Sequence, residues 1–113
     1  MVEGKMVRPQ KWSKVLDLFD DGDYSAIWGA YDNAPTRCLG VRWNGARDNP
    51  NDKGFPNLGG NPLWYVEPYY VTKVILLELV ARIAKDPSHG IHENILTALR
   101  EYSCEYQKEP SNE

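Results

Sequence analysis

Two cysteines, two histidines and no apolar run longer than four residues remove several common protein classes at once. Cys38 and Cys104 lie far apart, with no CxxC pair and no metal-ligand spacing, so neither a disulfide framework nor a cysteine-based zinc site is expected. Reduced thiols in a cytoplasmic protein are the expectation. Met1 to Gln10 lacks the apolar core of a signal peptide, and a four-residue apolar run is far too short to cross a bilayer. Thirteen basic and sixteen acidic side chains give a formal net charge of −3. That is too mild for a DNA mimic and of the wrong sign for a protein that grips a phosphate backbone. Internal repeats and low-complexity tracts are also missing, and 113 residues suit one domain with one core.

Glycine and proline are concentrated rather than scarce. Asn44 to Pro62 holds four glycines and three prolines in nineteen residues, between two aromatic-rich segments that read as strands. Loops of that length are uncommon in compact domains and usually bind something or stay disordered. A site is therefore expected in this loop and its flanks.

Pro9 suits a first helical turn, and Trp12, Val15, Leu16 and Phe19 follow at helical spacing, which predicts a helix ending in Asp20-Asp21-Gly22-Asp23. Tyr24 to Tyr31 and Thr36 to Asn44 are rich in β-formers around the turn residues Asp32-Asn33-Ala34-Pro35, a hairpin pattern. Pairing Tyr31 with Arg37 and Ile27 with Val41 would put Trp28, Gly40 and Arg42 together on the second face of that hairpin. Leu63 to Glu67 reads as a third strand, stopped by Pro68. Tyr70 to Lys85 carries an apolar arc wide enough for a helix buried on most of its circumference. Ile91, Ile95, Leu99, Tyr102 and Tyr106 recur every three or four residues and mark a last, amphipathic helix. The fold class is α+β: a three-stranded antiparallel meander with helices on one face, in the order helix, strand, strand, long loop, strand, helix, helix. Residues 1–8 and 109–113 are expected to fray.

Motifs that carry chemistry are sparse. His89 and His92 have a spacing that suits a metal on a helix, but His89 precedes Gly90 in an interhelical turn and no third ligand is near, so no metal site is expected. The acids at 20–23 do not follow a calcium-loop pattern. Gly54 to Gly60 lacks the lysine and the helix start that phosphate cradles use, and no cofactor is implied. Cys38 has no histidine placed to activate it. Glu67, at a strand end, is the one weak catalytic candidate; a hydrolase or nuclease would pair it with Asp48, Asp52 or Asp32.

Aromatic residues and arginine carry more. Trp28, Trp43, Trp64, Tyr65, Tyr69 and Tyr70 cluster on or beside the expected sheet, with Phe55 in the loop and Arg37 and Arg42 on strand two. Rings with arginine are what binding hot spots use. Trp43 and one of Trp64 and Tyr65 are assigned to the core. An uncovered second sheet face would then present Trp28, Arg42, Trp64 or Tyr65, joined by the loop residues Arg47, Phe55 and Leu58.

The runs Trp28-Gly29-Ala30-Tyr31 to Cys38-Leu39-Gly40-Val41-Arg42-Trp43-Asn44-Gly45, and Gly54-Phe55-Pro56 to Asn61-Pro62-Leu63-Trp64-Tyr65-Val66-Glu67-Pro68, resemble uncharacterised small bacterial proteins of the integron gene-cassette and mobile-element kind. The resemblance covers about residues 24 to 100 and implies an accessory protein, with no activity or catalytic residue to carry over. The resulting expectation is a non-enzymatic binding module that takes a protein partner or small planar ligand on its aromatic and arginine face, or closes that face in a homodimer. Two alternatives stand beside it: the Glu67 hydrolase or nuclease, and a single-stranded nucleic-acid binder stacking bases on Trp28 and Trp64, which the net charge disfavours.

Overall fold

The computed structural model describes residues 1–107 and is α+β, a four-stranded antiparallel sheet with two helices. The expected fraying at 109–113 lies outside the described residues. Strands β1 (Trp12–Asp20), β2 (Tyr24–Tyr31) and β3 (Cys38–Trp43) are followed by the small hairpin β4 (Asn57–Leu58) and β5 (Asn61–Pro62), then by β6 (Tyr65–Val66), α1 (Tyr69–Lys85) and α2 (His92–Gln107). The main sheet runs β1-β2-β3-β6. No helix among the described residues is long and apolar enough to cross a membrane.

The first element corrects the expected helix. Trp12–Asp20 is an edge strand whose pairing with β2 slips between Ser13 and Leu16 and again between Asp17 and Phe19. Each slip sends the following side chains to the opposite face. Apolar residues at 12, 15, 16 and 19 therefore serve both faces of a bulged strand, and their spacing imitates a helical stripe. Lys14, at φ 55°, lies within the first slip, and Arg37 Nη1 donates to its carbonyl at 3.0 Å.

The hairpin forms as expected but one residue out of register. Trp28 pairs with Leu39, Ile27 with Gly40 and Ser25 with Arg42. Trp28 and Leu39 consequently face the helices, inside the main core with Leu18, Leu76, Leu79, Ile83 and Ile95. The opposite face is not open either. Trp12, Ile27 and Trp64 pack there with Val7 of the N-terminal segment, and Trp64 Nε1 donates to the Val7 carbonyl at 3.0 Å. A Cβ on Gly40 would come within 2.8 Å of the Trp12 ring and one on Gly29 within 3.2 Å, so the two glycines make the space that this indole fills. Residues 1–8, expected to fray, form this second layer. The Val2 amide donates to Asn44 O at 2.8 Å and the Gly4 amide to Asp20 Oδ2 at 2.9 Å.

One carboxylate of α2 ties it to the hairpin. Glu101 of α2 accepts from Trp28 Nε1 at 2.8 Å and from Arg37 Nε at 2.9 Å through Oε1, while Oε2 takes a short bond from Arg37 Nη2. These contacts join α2 to β2 and to the β2–β3 turn, and the Arg37 guanidinium, helped by the Trp28 indole, holds the Glu101 carboxyl below the usual range. Tyr69 stacks on Tyr102 at 4.4 Å between α1 and α2.

Two predictions follow from this packing. Replacing Trp28 by alanine should cost about 3–5 kcal/mol in urea denaturation, the loss expected for a buried indole; a loss under about 1 kcal/mol would return Trp28 to the surface. Because the folded Glu101 carboxyl titrates below its unfolded value, its stabilisation is present above the ordinary glutamate range near about 4.3 and is lost as pH falls below it. The melting-temperature advantage of wild type over Glu101→Gln should thus be largest at neutral pH and shrink on acidification, and an advantage that grows on acidification would contradict the contact.

Candidate functional site: a clamped loop and an exposed ring cluster

Arg42 sets the geometry of the site. It sits near the end of β3 on the face away from the helices, is buried, and meets no carboxylate among the described residues. Its guanidinium instead donates to main-chain carbonyls of the long loop: Nη1 to Leu63 O at 2.5 Å and Pro56 O at 3.2 Å, and Nη2 by a short bond to Lys53 O. Nε is buried without an acceptor. Desolvation pushes the guanidinium below its usual pKa, yet arginine titrates so high that it remains a cation at neutral pH. Burial of an unpaired cation is costly unless its donors are met. Carbonyl oxygens supplied by the loop meet that demand at Nη1 and Nη2, and the loop cannot leave without stripping those donors of their acceptors.

The start of the loop is fixed separately. Buried Asn44 accepts from Ser25 Oγ at 2.8 Å and donates to Asp20 Oδ1 at 3.0 Å. Asp52 braces the next turn, accepting from the Ala46 amide at 3.0 Å and the Gly54 amide at 2.9 Å, bonds that hold its carboxyl below the usual range. Gly54, at φ 74°, permits the chain to press against β3; a Cβ there would lie 2.0 Å from Trp43 O. Phe55 and Trp43 then exchange both backbone hydrogen bonds, at 2.8 and 2.9 Å. The β4–β5 hairpin turns on Gly59 and Gly60, both at positive φ, as the tight two-residue hairpin turn requires.

This clamp presents rings. Trp43 faces Phe55 across their bridge, and Tyr65 faces Val41, two residues from Trp43 on the same strand. Side chains two apart share a face. Trp43, Phe55 and Tyr65 therefore stand on one face, 47, 67 and 50% exposed, with Leu58 at the hairpin tip 72% exposed. Tyr24 pairs with Trp43 in register and lines an adjoining groove of about 440 Å³ with Phe19, Ile75 and Arg82. Burial, reinforced by the Glu67 charge, pushes its phenol up to about 12.

Several expected site residues are placed elsewhere. Trp28, Arg42 and Trp64 do not form an exposed shelf: all three are buried, and Trp28 and Arg42 point to opposite faces. The one-residue register slip and the N-terminal layer are the reasons. Trp43, assigned to the core, is half exposed, outside the buried cluster that Trp28, Leu39 and Val41 form on the same face. Tyr65, Phe55 and Leu58 remain on the surface as expected, and Trp64 is the core member of the Trp64–Tyr65 pair. Arg47 is exposed but engaged, donating to Asp23 Oδ1 at 2.8 Å and Asp21 O at 2.9 Å, which ties the loop to the β1–β2 turn. Of the acids considered for catalysis, Asp52 spends both oxygens on loop amides, Asp32 lies 3.7 Å from Lys11 Nζ, and the Glu67 amide donates to Leu39 O at 3.0 Å. Burial raises the Cys38 thiol. Among the described residues no three histidine, cysteine or acidic side chains gather as a metal site.

Comparison with family models, with curated proteins and with solved structures gives no match.

Arg42→Met should leave the loop carbonyls without their donors and cost about 2–4 kcal/mol by urea denaturation, with Arg42→Lys recovering only part of it because a point ammonium does not span the separated oxygens. A loss below about 1 kcal/mol for the methionine variant would show that the loop holds without the clamp.

Proposed function

We propose that the protein is a non-enzymatic binding module that takes a protein surface or a small planar ligand on the ring cluster Trp43, Phe55 and Tyr65, with Leu58 at its edge. The observation that carries this reading is the sharing of one exposed face by three rings on backbone that is hydrogen-bonded and clamped from behind. Rigid exposed rings lose little conformational entropy on binding and supply large contact area, which is why aromatic residues dominate binding hot spots. As the resemblance noted above implies, we regard this chain as an accessory protein of the mobile-element kind, acting in the cytoplasm.

The test is a nitrogen-15 NMR titration with planar aromatic fragments. Shifts confined to the amides of residues 43, 55 and 65 and to the Trp43 indole, abolished in a Phe55→Ala/Tyr65→Ala variant of unchanged melting temperature, are the expected result. Shifts that map elsewhere and survive that variant would overturn the assignment.

A further inference from the structure

The sequence predicts α1 as a helix buried on most of its circumference, and the structure departs from this. The fully buried positions are Thr72, Leu76, Leu79 and Ile83, spaced by four, three and four residues, with Tyr69, Ile75 and Val80 half-buried against the core beside them. A second stripe, Tyr70, Val74, Leu77, Ala81 and Ala84, runs at the same alternating spacing along the opposite side and faces solvent. Tyr70 is 80%, Val74 70% and Leu77 51% exposed. One helix thus carries two seams. The inner seam packs against the sheet and α2, and the outer one has the four-three repeat that defines a coiled-coil seam.

We propose that the outer seam of α1 pairs in parallel, and in register, with the same seam of a second copy of this chain. Two features select that occupant. Val74 falls at an a position and Leu77 at a d position, the combination of a β-branched residue at a with leucine at d that favours parallel two-stranded pairing. Lys73 then falls at g and Glu78 at the following e. In a parallel pair these positions face each other across the seam, so Lys73 meets Glu78 of the other copy and the symmetric pair forms on the far side. In an antiparallel pair g would face g and e would face e, setting lysine near lysine and glutamate near glutamate. Glu78 already accepts from Arg82 Nε at 2.9 Å on its own helix, in an exposed pair that a second cation can join. Ala81 and Ala84 at the C-terminal end let the two helices approach closely.

The seam is only about two heptads long, less than the area that stable interfaces bury, so the dimer is reversible and concentration-dependent. Its symmetry has a consequence for binding. A twofold axis parallel to α1 keeps equivalent points at equal height, which places both ring clusters at the same end of the dimer and makes the assembly bivalent.

Sedimentation equilibrium of the full chain from micromolar to millimolar concentration, under reducing conditions so that exposed Cys104 cannot link copies, tests this directly. Wild type should show a monomer–dimer equilibrium. Leu77→Asn, at an exposed position, should keep its circular dichroism and become monomeric. Lys73→Glu and Glu78→Lys should each weaken dimerisation about tenfold or more, since each replaces two attractive contacts by two repulsive ones, and an equimolar mixture of the two should recover association as a heterodimer. A wild type that stays monomeric throughout would overturn the proposal. A dimer that ignores Leu77→Asn would place the interface elsewhere, and one whose charge variants do not rescue each other in the mixture would exclude the parallel register.

Discussion

A positive charge buried among carbonyl oxygens governs the arrangement of this protein. Arg42 is carried by a central strand, so its position is fixed by sheet hydrogen bonds on both sides. Its donors require acceptors, and the polypeptide supplies them from Lys53, Pro56 and Leu63, residues separated by ten positions in a segment with little regular structure. The energetic logic is conditional: the cation is tolerable only while the loop is docked, and the loop is docked because the cation is there. What would otherwise be a long flexible connection becomes a rigid lip on the sheet.

Around that clamp, the sheet is covered twice. Helices bury one face through Trp28 and its neighbours, and the N-terminal segment buries the other through Trp12, Trp64 and Val7. Asp20 and Asn44 stitch three regions at one point: the Asp20 carboxylate accepts from Gly4 of the N-terminal segment, from Gly22 of the first turn and from the Asn44 amide at the loop entrance. Coverage of the sheet thins at the loop end of β3. Exposure of Trp43, Phe55 and Tyr65 follows from this architecture, and apolar side chains of the outer face of α1 also remain in solvent.

Much of this was legible in the sequence, and the failures have definite causes. Both long helices, the hairpin and the long loop could be read from apolar spacing and turn residues, because those signals are local. The first strand could not, since two bulges broke its alternation into something that resembles a helical stripe. Register was the costlier error: one residue of slip in β2–β3 exchanges faces, and it converted Trp28 and Arg42 from a supposed surface pair into two buried residues on opposite sides. The role of Arg42 depends on acceptors eleven to twenty-one residues away, which no local pattern encodes. The outward seam of α1 was visible as apolar residues, but composition does not distinguish one wide buried arc from two opposed stripes.

If Arg42 clamps the loop, the ring surface it presents is fixed. Backbone nitrogen-15 relaxation across residues 44–63 measures that directly. Order parameters close to those of the sheet, about 0.85, are expected through Lys53, Phe55, Asn57 and Leu63. Values below about 0.6 over that stretch would mean a mobile loop, and the clamp would then not be what positions the rings.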